Sequence, residues 1–353
     1  MSQRSEARSP SNYTVGIICA MSFEMSAIRY MLDNEHEMRP IEDVDSTIYT
    51  LGDVHGLNIV LGCLSGQQGK GAAAVVAANM SRTFPHIKWR LLVGIGGGVP
   101  SDKHDIRLGD VVVSMPEGQH GGVVQYDLGK SSGAGFQLKG FLQLPPALLR
   151  SAVERMESDH LVRDSRILEF IDTMEPRDVV DTLFQDDFSH GDAVSSSAAH
   201  DPPQIVTRSP REFEGPYIHY GLIASGDSVL KSASKRKELV GALGDVLCFE
   251  MEAAGLMSEY PCLVIRGVSD YADSHKNDAW HKYAAATAAA CTKEVLSYLR
   301  VKDVAAMLEM PDADAATMEW HHQQQPHANV FHGKGFQHTG TGNFSIGGDS
   351  NIL

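Results

Sequence analysis

The sequence predicts an α/β fold in which helices flank a buried central sheet, on three observations. From Val15 onward, short apolar β-rich runs alternate with Ala-rich helical stretches, the pattern of strands and helices packed in layers. Several apolar runs stop at glycines, as strands do where they turn into loops. At 353 residues the chain can bury one large core and still carry an appendage.

The elements follow in order. VGIICAM (15–21) reads as a first central strand, followed by a helix carrying Glu24, Ile28 and Met31. TIYTLG and LNIVLGCL flank the turn residues Asp53 to Gly56 and read as a hairpin or meander. GKGAAAVVAANMSRTF is a helix after a glycine turn, WRLLVGIGGG a strand ending in glycines, and LGDVVVSM another strand. The region from about 116 to 215 is less regular. It holds one helix, PPALLRSAVERMESD, with proline at its start, and a Ser/Ala-rich loop, SHGDAVSSSAAHDPP, expected to be mobile. Order returns with IHYGLIASGD (strand), KSASKRKELVGAL (helix), VLCFEMEAAGLMSEY (strand into helix) and CLVIRGVSDYAD (strand), and the domain closes on an Ala-rich helix over roughly 278–300.

The flanks differ in composition. Residues 1–14 read as a disordered leader without an apolar signal-like stretch. Residues 301–328 are acidic and Gln/His-rich, with Pro311 and Pro326, which is linker composition. Residues 329–353 are rich in Gly, Asn, Thr and Ser, punctuated by Val330, Phe331, Phe336, Phe344 and Ile346, and free of proline. Short β-prone stretches with low charge suit stacked cross-β layers, and HGKGFQ followed by GTGNFS suggests two similar rungs. A Gly-rich tail without a function has the same composition.

Bulk properties narrow the function classes. The chain is 42% hydrophobic and 21% charged, with a formal net charge of −15. That field repels phosphate, which argues against non-specific binding to nucleic acid or to an anionic membrane surface. No apolar run approaches a membrane span. Cys19, Cys63, Cys248, Cys262 and Cys291 are scattered and form no C-x-x-C pair, so neither a disulfide framework nor a zinc knuckle is expected. The reading is a reduced, cytoplasmic protein with no metal and no cofactor.

Three carboxylates stand where strands end: Glu24, Glu252 in FEMEAAG and Asp270 in IRGVSDYAD. Ligands of open α/β sheets bind outside the carboxyl ends of strands, so such groups can converge on one crevice. Taken singly, each has an ordinary structural reading as an N-cap or first-turn acid. The glycines of GIGGG, Gly96 and Gly97 among them, allow close backbone approach to a ligand without making a dinucleotide fingerprint. SGQQGKG offers Lys70 at a helix start as a candidate anion site, with an ordinary glycine turn as the alternative.

With these motifs in view, the chain over about Val15 to Arg300 resembles the nucleoside phosphorylase / methylthioadenosine nucleosidase superfamily. The blocks VGIICAMSFE, VGIGGG with LGDVVVS, IASGD, FEMEAAG and VIRGVSDYAD occur in that family's order, and GGVVQYDLGK, IHYGLIASGD and DSHKNDAW resemble the variety found in fungal NLR-type immunity proteins. The resemblance implies one domain with a central, mixed, twisted sheet. It implies that Asp270 protonates the purine at N7 and that Glu24 activates the attacking water. It also implies that Glu252 binds the ribose hydroxyls while Met251 packs beneath the sugar, and it adds Arg266 to the binding residues. Glycosyl cleavage does need an acid at the leaving group and a carboxylate near the developing cation or nucleophile.

Where phosphorylases of the family hold phosphate, this chain has Leu92 and Ile95, with Arg90 further from the strand end; this favours hydrolysis. Where the nucleosidases stack an aromatic ring on the base, it has Val229. The expected activity is therefore an N-ribosyl hydrolase acting on a purine nucleoside or nucleotide, releasing adenine. A triphosphate substrate would be met by Lys70, Arg107, Lys130 or Lys231. The alternatives are a phosphorylase and a catalytically silent scaffold. The family assembles as homo-oligomers, and the tail resembles fungal amyloid signalling motifs, which implies an NLR-type receptor as partner.

Overall fold

The computed structural model describes residues 8–37, 45–133, 135–171, 180–185, 205–213 and 215–299. The Ser/Ala-rich loop at 189–203 and the 301–328 and 329–353 segments singled out above lie outside the described residues.

In chain order the elements are β1 (Val15–Cys19), α1 (Ser22–Met31), β2 (Asn34–His36), β3 (Tyr49–Val54), β4 (Leu57–Cys63), α2 (Lys70–Thr83), β5 (Trp89–Gly98), β6 (Val111–Ser114), β7 (Val123–Gln125), β8 (Gly129–Ser132) and β9 (Gly135–Leu138). Then come α3 (Ala147–His160), α4 (Ile167–Ile171), β10 (Ile218–Ser225), α5 (Ala233–Leu243), β11 (Val246–Glu250), α6 (Ala253–Leu256), β12 (Leu263–Asp270) and α7 (His281–Ser297).

The sheet is mixed. Its strands run in the order β11-β10-β6-β12-β5-β1-β4-β3-β2, with β7 beside β10. β1 lies parallel to β4 and β5, and β12 parallel to β5, while β12 meets β6 antiparallel. β11 also pairs antiparallel with β5 through Cys248–Gly98 and Phe249–Gly97. That pairing closes β5, β12, β6, β10 and β11 into a ring, and β1 to β4 extend the sheet from one side.

Burial explains why the central strands read as unbroken apolar runs: every residue of β1 and β12 is buried. The β3–β4 hairpin turns at His55 and Gly56, both with positive φ (50° and 80°), the two-residue turn that suits strand twist. The Ala-rich α7 packs on β12 and β5, and its small side chains permit close approach; a methyl group on Gly267 would overlap the Ala284 backbone.

Two expectations need correction. Residues 8–14 belong to the folded body: Pro10–Asn12 form a 3-10 turn, and Tyr13 is fully buried with its hydroxyl 2.9 Å from His36 Nδ1. The irregular region contains β7, the β8–β9 hairpin and α4 as well as α3. All four residues of β8 are exposed, so no apolar alternation marked it in the sequence.

Candidate active site

The residues at or just past the ends of β1, β5, β10, β11 and β12 surround one cavity of about 310 Å³, near the lower end of the usual size for small-ligand sites. Ala20, Met21 and Glu24 come from β1 and α1, and Ile95, Gly96 and Gly97 from β5. Ser228 to Lys231 follow β10; Phe249 to Glu252 end β11; Arg266, Ser269 and Asp270 come from β12, and Lys276 and His281 from the chain beyond it.

Glu24 sits in the first turn of α1, and its buried carboxylate does two jobs. Oε2 accepts the backbone N–H groups of Ala20 (2.9 Å) and Met21 (2.8 Å), satisfying donors that a helix start leaves open. Oε1 accepts the Ile95 N–H at 2.8 Å, tying the helix to β5. Burial raises its pKa, opposed by Arg266 and by these three N–H donors. The room comes from Gly94, where a methyl group would overlap both Glu24 Oε1 and Arg266 Nη1.

Arg266 is fully buried on β12 and bonded to the carboxylates of Glu250, the last residue of β11, and Glu252 just after it. Its Nη2 donates to Glu250 Oε2 and, at 3.2 Å, to Glu252 Oε2, and its Nη1 reaches the Ile95 carbonyl at 3.4 Å. Burial works against the guanidinium charge, but Glu250, Glu252 and Glu24 together hold its pKa above the ordinary value. Glu252 also accepts the Gly69 N–H at 3.1 Å. Burial, with Glu250 adding repulsion and Arg266 opposing, pushes the Glu252 pKa up to about 7.

Asp270 ends β12 and accepts from three donors: the Ala272 N–H at 2.9 Å on Oδ1, and the Ser269 hydroxyl and Lys276 ammonium, each at 2.8 Å, on Oδ2. Ala272 adopts a positive φ of 53°, an uncommon conformation for alanine, and in it aims its N–H at Asp270. Gly97 leaves the space on the other side, since a methyl group there would lie 2.9 Å from Asp270 Oδ1.

The structure therefore brings together Glu24, Ile95, Gly96, Gly97, Val229, Lys231, Met251, Glu252, Arg266 and Asp270. Other expected residues stand elsewhere. Lys70 Nζ is held by Asp127 (2.6 Å) and Asp227 (3.3 Å) outside the lining, its charge already matched. Arg107 is paired with Asp105 at 2.7 Å and lines a separate cleft beside Trp280 and Tyr283. Lys130 lies on the exposed β8. Leu92 points into the core with Ile18 and Val264, so of the two residues set against phosphate only Ile95 faces the cavity. Arg90 donates to the Ser81 hydroxyl at 2.7 Å and lies over the Tyr260 ring.

Sequence reasoning missed Glu250, Lys276 and His281. Glu250 stands two residues before Glu252 and could have been suspected from that spacing. Lys276 lies in a loop with no periodicity to read.

Among the described residues, no group of three or more His, Cys, Asp or Glu side chains could hold a metal, and no helix is long and apolar enough to cross a membrane.

A ring-closed mixed sheet with four acidic groups around one cavity defines a class, and the chain belongs to it: it is a member of the phosphorylase superfamily, whose family model matches residues 14–299. It is similar to a nucleotide-binding leucine-rich repeat (NLR)-like protein of Hyaloscypha variabilis, 42% identical over 306 residues, 83% of this chain and 30% of that protein. It is also similar to the ATP nucleosidase Cap17 of Escherichia coli, 34% identical over 90 residues, 24% of this chain and 18% of that protein. The chain thus spans less than a third of the length of these curated relatives. Among solved structures, it shares its fold with a 5'-methylthioadenosine/S-adenosylhomocysteine nucleosidase from Neisseria meningitidis in complex with methylthio-immucillin-A (TM-score 0.54, 23% identity, 81% of this chain and 99% of that one). A futalosine hydrolase of Helicobacter pylori shares it as well (TM-score 0.54, 21% identity, 81% and 98%).

Proposed function

We propose that the domain is an N-ribosyl hydrolase that releases the base of a purine nucleoside or nucleotide. The convergence of Glu24, Glu252 and Asp270 on one cavity carries this reading. Asp270 serves the leaving purine at N7. Glu24 Oε1 takes a proton from the attacking water at C1′. Glu250 is occupied by Arg266 and by the backbone N–H groups of Glu252 and Ala253, which leaves Glu252 to accept the ribose hydroxyls. Hydrolysis is favoured over phosphorolysis because Ile95 offers a phosphate dianion no hydrogen bond, and an unpaired dianion there is costly to desolvate.

The finer reading is adenine release with a triphosphate accepted, supported by the likeness to the ATP nucleosidase and by Lys231 on the lining. An effector role in innate immunity is supported by the likeness to the NLR-like protein. The deciding experiment incubates the purified protein with adenosine, methylthioadenosine, AMP and ATP, with and without inorganic phosphate. Free adenine and a sugar lacking a 1-phosphate are expected in both conditions. Ribose 1-phosphate formed only with phosphate present reverses hydrolase and phosphorylase, and no base release from any substrate leaves the silent scaffold.

A further inference from the structure

The Lys276 ammonium lies 2.8 Å from Asp270 Oδ2, and both side chains line the cavity. Asp270 is 4% exposed and is bonded to the Ala272 N–H, the Ser269 hydroxyl, which also reaches the Gly96 carbonyl at 3.3 Å, and Lys276. The ammonium is thus within direct hydrogen-bond reach of the carboxyl oxygen that it would resupply with a proton. A carboxyl group that hands a proton to a leaving group must be resupplied from a neighbouring donor. Of the three donors, only Lys276 can give a proton away under ordinary conditions. Its side chain is 24% exposed, so the amine it would leave behind can recover a proton from water.

Resting on the hydrolase reading above, we propose that Lys276 is the proton source behind Asp270, and that Asp270 relays the proton to the purine. As the C1′–N9 bond breaks, its electron pair goes to the purine. Asp270 passes a proton to N7 and takes one from Lys276, which becomes a neutral amine. Water adds at C1′ and gives its proton to Glu24. Glu24 then releases that proton to solvent and Lys276 regains one, so the cycle closes with no added reactant. Lys276 acts through Asp270 and is a positioning and proton-supplying residue. An ammonium is a suitable donor to a purine that would otherwise leave as an anion.

Other titratable groups face the pair. Cys248 on β11 feels both charges, and burial pushes its thiol up. His281 on α7 also feels both, and burial lowers its pKa. Asp273 and His275 flank the pair in the β12–α7 loop, with Lys231 on the cavity wall and Arg266 committed to its glutamates. Neither burial-raised Cys248 nor burial-lowered His281 yields an ammonium-type alkaline limb that vanishes with Lys276.

The test compares wild type, K276M and K276R on adenosine, AMP or ATP, whichever wild type turns over best, and on 4-nitrophenyl riboside, whose leaving group departs without protonation. K276M should lose about 10²–10⁴-fold in kcat on the adenine substrate and far less on the nitrophenyl riboside. It should also lose the alkaline limb of the kcat profile, and K276R, whose guanidinium does not give up its proton, should leave most of the loss in place. Equal losses on both substrates, or an alkaline limb unchanged in K276M, overturn the proposal. If wild type spares the nitrophenyl riboside, the pH profile alone decides. If wild type releases no base at all, it is the hydrolase reading that fails, and this inference falls with it.

Discussion

Arg266 Nη2 is shared between Glu250 Oε2 and Glu252 Oε2, 3.2 Å from the latter, and all three side chains are buried. One guanidinium thus bridges two buried carboxylates that would otherwise repel each other. Removing it strands both. Arg266→Leu should destabilise the domain by about 3–5 kcal/mol, the cost typical of leaving a buried partner uncompensated. Urea unfolding of the two proteins at neutral pH measures it, and a loss under 1 kcal/mol would show that water or a neighbour replaces the arginine.

The same cluster makes stability depend on pH. The Glu252 pKa is pushed from an ordinary 4.5 to about 7, so the folded protein holds this proton more tightly than the unfolded chain does. The resulting stability is fully present below pH 4.5 and is lost as pH rises through 7, on the order of 3 kcal/mol across that window. Glu252→Gln stays neutral throughout. Relative to wild type it should gain roughly 2–3 kcal/mol between pH 4.5 and pH 8 in urea unfolding. Parallel stability curves for the two proteins would remove Glu252 as the titrating group.

Close packing around the carboxylates gives a third expectation. A methyl group on Gly94 meets Glu24 and Arg266, both buried and fixed by hydrogen bonds, whereas one on Gly71 at the start of α2 meets nothing within 4 Å. Gly94→Ala should cost about 1–3 kcal/mol and lower turnover. Gly71→Ala should be neutral or stabilising by about 0.4–1 kcal/mol. Thermal unfolding of both variants, with adenine release beside it, separates a local overlap from a general intolerance of alanine.

How much could be read from the sequence follows from what each feature depends on. Strands such as β1 and β12 were legible because burial on both faces leaves an unbroken apolar run. Glu24, Glu252 and Asp270 were legible because a sheet gathers the ends of its strands. The ring closure was not, since Cys248–Gly98 and Phe249–Gly97 join segments about 150 residues apart with no local mark. Lys70 misled for a related reason: its partners Asp127 and Asp227 come from distant loops, and only the fold shows its charge already spent.

The last expectation concerns Glu24, whose three hydrogen-bond partners are all backbone N–H donors. A glutamine there has one oxygen and one NH₂ group, so in either orientation the NH₂ confronts an N–H: Ile95 on one side, Ala20 and Met21 on the other. Glu24→Gln should therefore cost about 1–3 kcal/mol of stability, the penalty of leaving buried donors without an acceptor. It also replaces a basic carboxylate by an amide that does not take a proton from water, so turnover should fall by about 10²–10⁴-fold even where the variant is fully folded. The two effects separate in practice. Circular dichroism and urea unfolding give the folded fraction, and adenine release per folded molecule gives the chemistry. A variant that is destabilised yet keeps its turnover per folded molecule would mean that Glu24 is a structural cap and that another group activates the water.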